Sequence, residues 1–199
     1  MNRIIKRLYP ELAQTYINYL SHLDFSHEPH WSSCLCRFYH MNNDIDVWAK
    51  RTFEENKTDA IEAIQAGTMD GYLAFDGDKC IGWLNANNTV AYLRLEEHLV
   101  TYVGDQKIGL AICYVIHPDY RHMGVAKALL AEAITNFRNE GYDAVIALPI
   151  AEDSFSEKQY RGPVSMYEKA GFKTMEIIEN MHIMRLELKE RVAFNSMRR

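Results

Sequence analysis

The pattern of hydrophobic and polar positions changes along the chain from helical spacing to strand spacing. Apolar residues recur at helical intervals over residues 11–23 and 45–66, which predicts two N-terminal helices. Gly67 follows the second segment, and glycine favours the C-terminal end of a helix. Residues 24–40 contain Pro, Ser and His without an apolar period, so we expect a long loop between the two helices.

The rest of the chain predicts mainly strands. Residues 71–75 and 80–84 flank a short polar turn and predict a β-hairpin, and the run GLAICYVI at 109–116 is the strongest predicted strand. A helix over 124–139, a strand over 143–148, a short helix over 162–170 and two strands between 172 and 188 follow. This order indicates an α/β fold with a mixed sheet.

Composition and charge narrow the classes of function. Of the 199 residues, 48% are hydrophobic and 25% are charged, which suits a folded domain with a sizeable core. The net charge of −5 argues against nucleic acid as the main partner. The chain has no apolar run of about 20 residues and no signal-peptide pattern at its start. We therefore expect a cytoplasmic protein with no membrane partner.

One segment carries recognisable chemistry. The strand 109–116 runs into Pro118, a turn with Arg121 follows, and Gly124 opens the next predicted helix. The unpaired N–H groups at a helix start, together with the helix dipole, form an anion site. A pyrophosphate fits there, and Arg121 adds positive charge. The segment has neither the G-x-G-x-x-G of a dinucleotide fold nor the Gly-Lys-Ser/Thr of a P-loop.

These residues resemble the GNAT superfamily of CoA-dependent acyltransferases. Its signature is a strand, then Pro, then Arg/Gln-x-x-Gly-x-Gly/Ala, and this chain reads Arg121-His-Met-Gly124-Val-Ala126. The family also ends with a Tyr on a short helix followed by Gly-Phe, which here is Tyr167-Glu-Lys-Ala-Gly-Phe172. The two motifs stand in the expected order, separated by a helix and a strand. The resemblance covers about residues 72–188.

The resemblance implies a mostly antiparallel sheet, flanked by helices and splayed at the strands that bind CoA, with acetyl-CoA as co-substrate. Tyr167 would protonate the departing thiolate. Backbone groups would pair with the pantetheine arm, and the turn with the helix start would hold the pyrophosphate. The implied cofactor-binding residues are Tyr114, Val115, Ile116, Arg121, His122, Met123, Gly124, Val125, Ala126 and Lys127.

The resemblance leaves the general base open, and one position departs from the family pattern. Such proteins often place Asn seven residues before the Tyr, whereas this chain has Tyr160 there. An amine arrives protonated, so a group must take its proton. The acidic and histidine residues before and after the main strand are the candidates, with Glu97 placed first: Glu97, Glu96, Asp105, His98 and His117.

The predicted loop contains an unusual cluster of cysteines and histidines between His27 and His40. Nitrogen and sulfur ligands in such number could hold zinc, but the spacing matches no known finger, and we expect no metal there. The resemblance places acceptor recognition in this part of the chain. The loop residues expected to shape the acceptor pocket are Trp31, Cys34, Cys36 and Tyr39.

The sequence therefore predicts a single N-acetyltransferase domain over residues 1–199. Residues 1–70 form a helical acceptor-side portion, residues 71–190 form the CoA-binding core, and residues 191–199 form a tail. The predicted activity is acetyl transfer from acetyl-CoA to a small-molecule or peptide amine by direct attack, in a monomer or homodimer. Two alternatives stay open: a non-catalytic acyl-CoA-binding regulatory module, and a metal-binding interaction protein.

Overall fold

The computed structural model describes residues 3–26, 29–151 and 160–189, which form a seven-stranded sheet flanked by helices. The strands are β1 Arg3–Arg7, β2 Gly71–Asp76, β3 Lys79–Asn88, β4 Ile108–Ile116, β5 Ala144–Ala147, β6 Lys173–Ile178 and β7 Met181–Glu187. The α-helices of this part of the chain are α1 Ala13–Ser21, α2 Ile45–Trp48, α3 Phe53–Gln65, α4 Glu96–Val103, α5 Val125–Asn139 and α6 Val164–Lys169.

The sheet is mixed and mostly antiparallel, which confirms the predicted fold class. Its strand order is β1-β2-β3-β4-β5-β7-β6, and β4 and β5 are its parallel pair. These two strands pair only over residues 108–111 and 144–147, because β5 ends there while β4 continues to Ile116. The sheet therefore opens between β4 and the chain that follows β5, as expected for a splayed sheet.

Helices cover both faces of the sheet. Helix α5 packs on one face through the apolar stripe predicted from the sequence, from Val125 to Phe137. A Cβ at Gly109 would lie 2.8 Å from the Phe137 ring, so only glycine lets this end of α5 approach β4. Helices α1 and α3 and the loop between them pack on the opposite face. Each face thus buries its own apolar cluster.

The prediction of one helix over residues 45–66 is wrong, because the structure has two. Thr52 interrupts the segment and caps α3: its Oγ1 accepts from the N–H of Glu55 at 3.2 Å, while the Glu55 carboxylate accepts from the N–H of Thr52 at 2.7 Å. This reciprocal capping box satisfies N–H groups at the helix start and so begins a new helix.

Two elements were not predicted. Strand β1 pairs antiparallel with β2 at the edge of the sheet, so residues 1–70 contribute a strand as well as helices. Helix α4 lies directly before β4. Residues 191–199, predicted to be a tail, lie outside the described part of the chain. Within the described ranges, no helix has the length and apolar character needed to cross a bilayer.

Candidate active site

The opening of the sheet beside β4 forms a cleft of about 360 Å³. Its walls come from the end of β4, the turn before α5, the first turn of α5 and the segment before α6. Nine of the ten predicted cofactor-binding residues line this cleft: Tyr114, Val115, Ile116, Arg121, His122, Gly124, Val125, Ala126 and Lys127. Residues from the end of β4 and from the start of α5 thus meet at one edge of the sheet.

The turn before α5 has the geometry of an anion site. His122 and Gly124 adopt left-handed backbone angles, with φ of 58° and 79°, and α5 begins at Val125. The first N–H groups of a helix have no partner inside the helix and point away from its start. A Cβ placed on Gly124 would find only Arg3 Nη1 within 4 Å, at 3.8 Å, so the space in front of this turn is open. The turn therefore fits a diphosphate.

Met123 is the one predicted cofactor residue outside the cleft lining. Its side chain is exposed, while its carbonyl accepts a hydrogen bond from the Arg3 guanidinium of β1. The N-terminal strand thereby holds the turn in place. Nothing in the local pattern around Arg3 indicated this contact, since it joins residues 120 positions apart.

The backbone of β4 faces the splay through alternate N–H groups. The N–H of Tyr114 donates to the carbonyl of Tyr160 at 2.7 Å, so it points away from β3. Consecutive N–H groups of a strand point to opposite sides, so every second one faces the same side. The N–H of Ile116, two residues after Tyr114, therefore also faces the splay. Tyr160, which stands where the family often has Asn, thus occupies the edge of β4 directly.

Tyr167 lies on α6, behind the wall of the cleft. It is fully buried, and its hydroxyl donates to the carbonyl of Arg161 at 2.8 Å. Burial raises the pKa of Tyr167, so the phenol keeps its proton. A Cβ on Gly162, a residue of the cleft wall, would lie 3.8 Å from this hydroxyl. The Tyr167 side chain does not line the cleft itself, and only the segment at Gly162 separates the two.

A second cleft of about 880 Å³ adjoins the first. All four residues predicted to shape an acceptor pocket line it, namely Trp31, Cys34, Cys36 and Tyr39. The two clefts share three residues, Phe25, Val115 and Tyr160. A molecule in the second cleft would therefore face a molecule in the first across the end of β4.

Buried hydrogen bonds hold the loop that forms the second cleft. The Tyr16 hydroxyl donates to the carbonyl of Leu35 at 2.7 Å, and the Asn56 amide donates to the carbonyl of Ser33 at 2.8 Å. Leu35 and Cys36 have φ of 42° and 51°, a conformation that costs about 1–3 kcal/mol for a side chain other than glycine. The contacts from α1 and α3 stabilise this tight turn.

Two cysteines of this wall, Cys34 and Cys36, are held in the protonated thiol form. Burial raises the pKa of Cys34 to about 12. A hydrogen bond with Cys113 and burial raise that of Cys36, whose sulfur also accepts from Trp83 Nε1 at 3.3 Å. Within the residues that the structure describes, no three His, Cys, Asp or Glu side chains come together to hold a metal ion. His27, at the start of the cluster, lies outside those residues.

The structure does not bring the candidate bases to the clefts. Glu97, Glu96 and His98 are exposed on α4, and Asp105 is exposed just after it. Helix α4 leads into the start of β4, whereas the clefts lie at its end. His117 lines neither cleft, and its Nδ1 accepts from the N–H of Asp119 at 3.3 Å. Glu97 therefore stays a sequence prediction without support from its position.

Sequence reasoning missed other residues of the second cleft, above all Arg161. This side chain reaches the cleft from the segment before α6 and donates to the Tyr39 hydroxyl at 2.8 Å. Phe25 and Trp48 also line the cleft. No motif marks these positions, because they meet only after residues far apart in the chain have folded together.

Comparisons with known proteins agree with this geometry. The family model described as Acetyltransferase (GNAT) family matches residues 33–172. Among proteins of curated function, none matches the chain. Solved structures of similar fold include a mosquito arylalkylamine N-acetyltransferase like 5b, at 13% identity and a TM-score of 0.59, with 94% of this chain and 100% of that one covered.

Two further similar structures contain the coenzyme. The PaiA N-acetyltransferase of Thermoplasma acidophilum, in complex with coenzyme A, has 18% identity and a TM-score of 0.53, covering 94% of this chain and 99% of that one. The yncA structure from Salmonella typhimurium, with its cofactor acetyl-CoA, has 14% identity and a TM-score of 0.53, covering 98% and 99%. With the family model matched over most of the chain, the protein belongs to the GNAT family of acetyltransferases.

Proposed function

We propose that the protein is an acetyl-CoA-dependent N-acetyltransferase that acts on a small-molecule or peptide amine by direct attack. The observation that carries this proposal is the junction of two clefts at the end of β4. One cleft ends at an open helix start suited to a diphosphate, and the other is a large cavity beside it. Two substrates can therefore meet without a covalent enzyme intermediate.

Acetyl-CoA would be held mainly by backbone groups. The N–H groups from His122 to Lys127 would bind the pyrophosphate, and the positive charge of Arg121 would add to the field of the helix start. The pantetheine arm would lie along the outer edge of β4 and pair with the N–H groups that face the splay. The arm would either replace the Tyr160 carbonyl as the acceptor for the Tyr114 N–H or lie beyond that carbonyl, toward Ile116.

Proton balance defines the roles of the remaining groups. The neutral amine attacks the acetyl carbonyl, an N–C bond forms, the C–S bond breaks, and the nitrogen loses a proton while the thiolate gains one. The Tyr167 hydroxyl, kept protonated by burial, is the proposed donor to the thiolate. Because this hydroxyl bonds the Arg161 carbonyl behind Gly162, the proposed role requires that segment to shift when substrate binds. The ammonium proton would leave through water before the attack, and we assign no side chain as its base.

The test is acetyl-CoA-dependent, amine-dependent release of free thiol, with the acetylated amine identified by mass spectrometry. A non-catalytic acyl-CoA-binding module would bind acetyl-CoA and release no thiol with any amine. Tyr167→Phe should lower kcat by about 10²-fold and leave the affinity for acetyl-CoA nearly unchanged.

Tyr142→Phe is the matched control, because Tyr142 is also buried but lies beside Phe137 at the other end of α5. Its kcat should equal that of the wild type. An unchanged kcat in Tyr167→Phe would return Tyr167 to a packing role, whereas equal losses in both variants would point to a general effect on folding.

A further inference from the structure

The lining of the second cleft is mostly apolar, and its cationic side chains outnumber its carboxylates. Its charged residues are Arg51, Arg161 and Glu179, the last at the turn between β6 and β7. One carboxylate among these three charged residues attracts a polycationic acceptor only weakly, which disfavours polyamines. Six aromatic side chains provide apolar contact area: Phe25, Trp31, Phe38, Tyr39, Trp48 and Tyr160.

The two arginines of this cleft have different partners. Arg51 forms an ion pair with Asp59 and donates to the Asn56 amide oxygen at 2.6 Å. Arg161 instead donates to the neutral Tyr39 hydroxyl, and its guanidinium carbon lies 5.8 Å from the centre of the Tyr39 ring. Within the residues that the structure describes, no carboxylate forms an ion pair with Arg161. The Met181 sulfur also accepts from Arg161, and neither this sulfur nor the Tyr39 hydroxyl carries a charge that offsets the guanidinium.

The backbone around Arg161 is anchored at the junction of the two clefts. The carbonyl of the preceding residue, Tyr160, accepts from the N–H of Tyr114 on β4. The carbonyl of Arg161 itself accepts from the Tyr167 hydroxyl. Arg161 and Val115 of β4 line the same cleft, so an acceptor that bonds the Arg161 guanidinium through an anion can extend to the end of β4, where the acetyl group is proposed to lie.

We infer that the acceptor is a primary amine that carries both a carboxylate and an aromatic side chain, as an aromatic amino acid does. The inference rests on the proposed N-acetyltransferase function and narrows its substrate class. The Arg161 guanidinium binds the carboxylate through its planar fork. The aromatic side chain packs against the rings of the cleft, among them Trp31 and Tyr160, whose ring centres lie 4.5 Å apart.

The experiment compares amines that differ at the carboxylate. Phenylalanine, phenylalaninamide, phenethylamine and spermidine are each supplied with acetyl-CoA, and thiol release gives kcat and KM. Phenylalanine should exceed phenylalaninamide and phenethylamine in kcat/KM by about 10- to 100-fold, mainly through a lower KM, because one hydrogen-bonded charge pair is lost in each analogue. Spermidine should be the poorest acceptor of the four.

Variants of the two arginines test the assignment within the cleft. Arg161→Met should bring the ratio of phenylalanine to phenylalaninamide close to one, whereas Arg51→Met should keep the ratio of the wild type. Direct binding of N-acetylphenylalanine, measured by calorimetry, should weaken by a similar factor in Arg161→Met alone.

Three results would overturn the inference: preference for phenethylamine or spermidine, an unchanged ratio in Arg161→Met, or acetylation of other amines without acetylation of phenylalanine. The last result leaves the proposed N-acetyltransferase function intact. A failure of the wild type to bind acetyl-CoA would instead contradict the proposed function itself, so the two failures are distinguishable.

Discussion

Replacement of Gly124 by alanine should weaken acetyl-CoA binding for a reason that can be separated from stability. Gly124 has a φ of 79°, and a side chain in this left-handed region costs about 1–2 kcal/mol. A Cβ there would meet only Arg3 Nη1, at 3.8 Å, so the protein itself need not move. The methyl group would instead project from the turn where the diphosphate is proposed to bind. We expect about tenfold weaker binding, equivalent to about 1.4 kcal/mol.

Gly141, just beyond the C-terminal end of the same helix, supplies the matched control. Its φ is 75°, and a Cβ there would meet nothing within 4 Å. Gly141→Ala should therefore carry the same backbone strain, and both variants should lose about 2–8 °C in Tm for a chain of this size. Calorimetric titration should show weaker acetyl-CoA binding in Gly124→Ala alone, and no binding in Gly124→Trp. Equal affinities in the two alanine variants would refute the placement of the diphosphate.

Two further predictions concern the fold around the site. Gly71→Ala should destabilise the protein by about 3 kcal/mol in urea unfolding, because its Cβ would lie 2.2 Å from the Leu84 carbonyl and 2.3 Å from the Trp83 ring; near-wild-type stability would contradict this packing. Burial, with a smaller contribution from Arg37, lowers the pKa of His40 from 6.5 to about 4. The contribution of neutral His40 to the free energy of unfolding is thus complete above about pH 6.5, and it should fall by about 3 kcal/mol as the pH drops through 4. Urea unfolding of His40→Asn should lack most of that fall, and an identical pH profile would count against it.

The parts of the site that could be predicted from the sequence are those with local causes. Apolar runs, Pro118 and Gly124 mark the end of β4 and the start of α5, because strand period, a missing N–H and a positive φ act within a few residues. The break between α2 and α3 was also readable, since Thr52 and Glu55 have the spacing of a capping box. It was missed because the apolar period continues across it.

The second cleft depends on contacts that no local pattern encodes. Arg161 reaches Tyr39 across 122 positions, and Arg3 reaches the carbonyl of Met123 across 120. Each contact depends on the sheet bringing distant segments side by side. Strand β1, only five residues long and rich in arginine and lysine, becomes a strand through its pairing with β2. The four predicted loop residues nevertheless line this cleft, and their role in acceptor recognition, which the family resemblance implies, stays a prediction.

The most direct test of the proposed cofactor site is a crystal structure of the protein with acetyl-CoA bound. We expect pyrophosphate oxygens within hydrogen-bond distance of the N–H groups between His122 and Lys127, with the thioester at the junction of the two clefts near Val115. Acetyl-CoA bound away from the start of α5, or a thioester outside the opening beside β4, would contradict it.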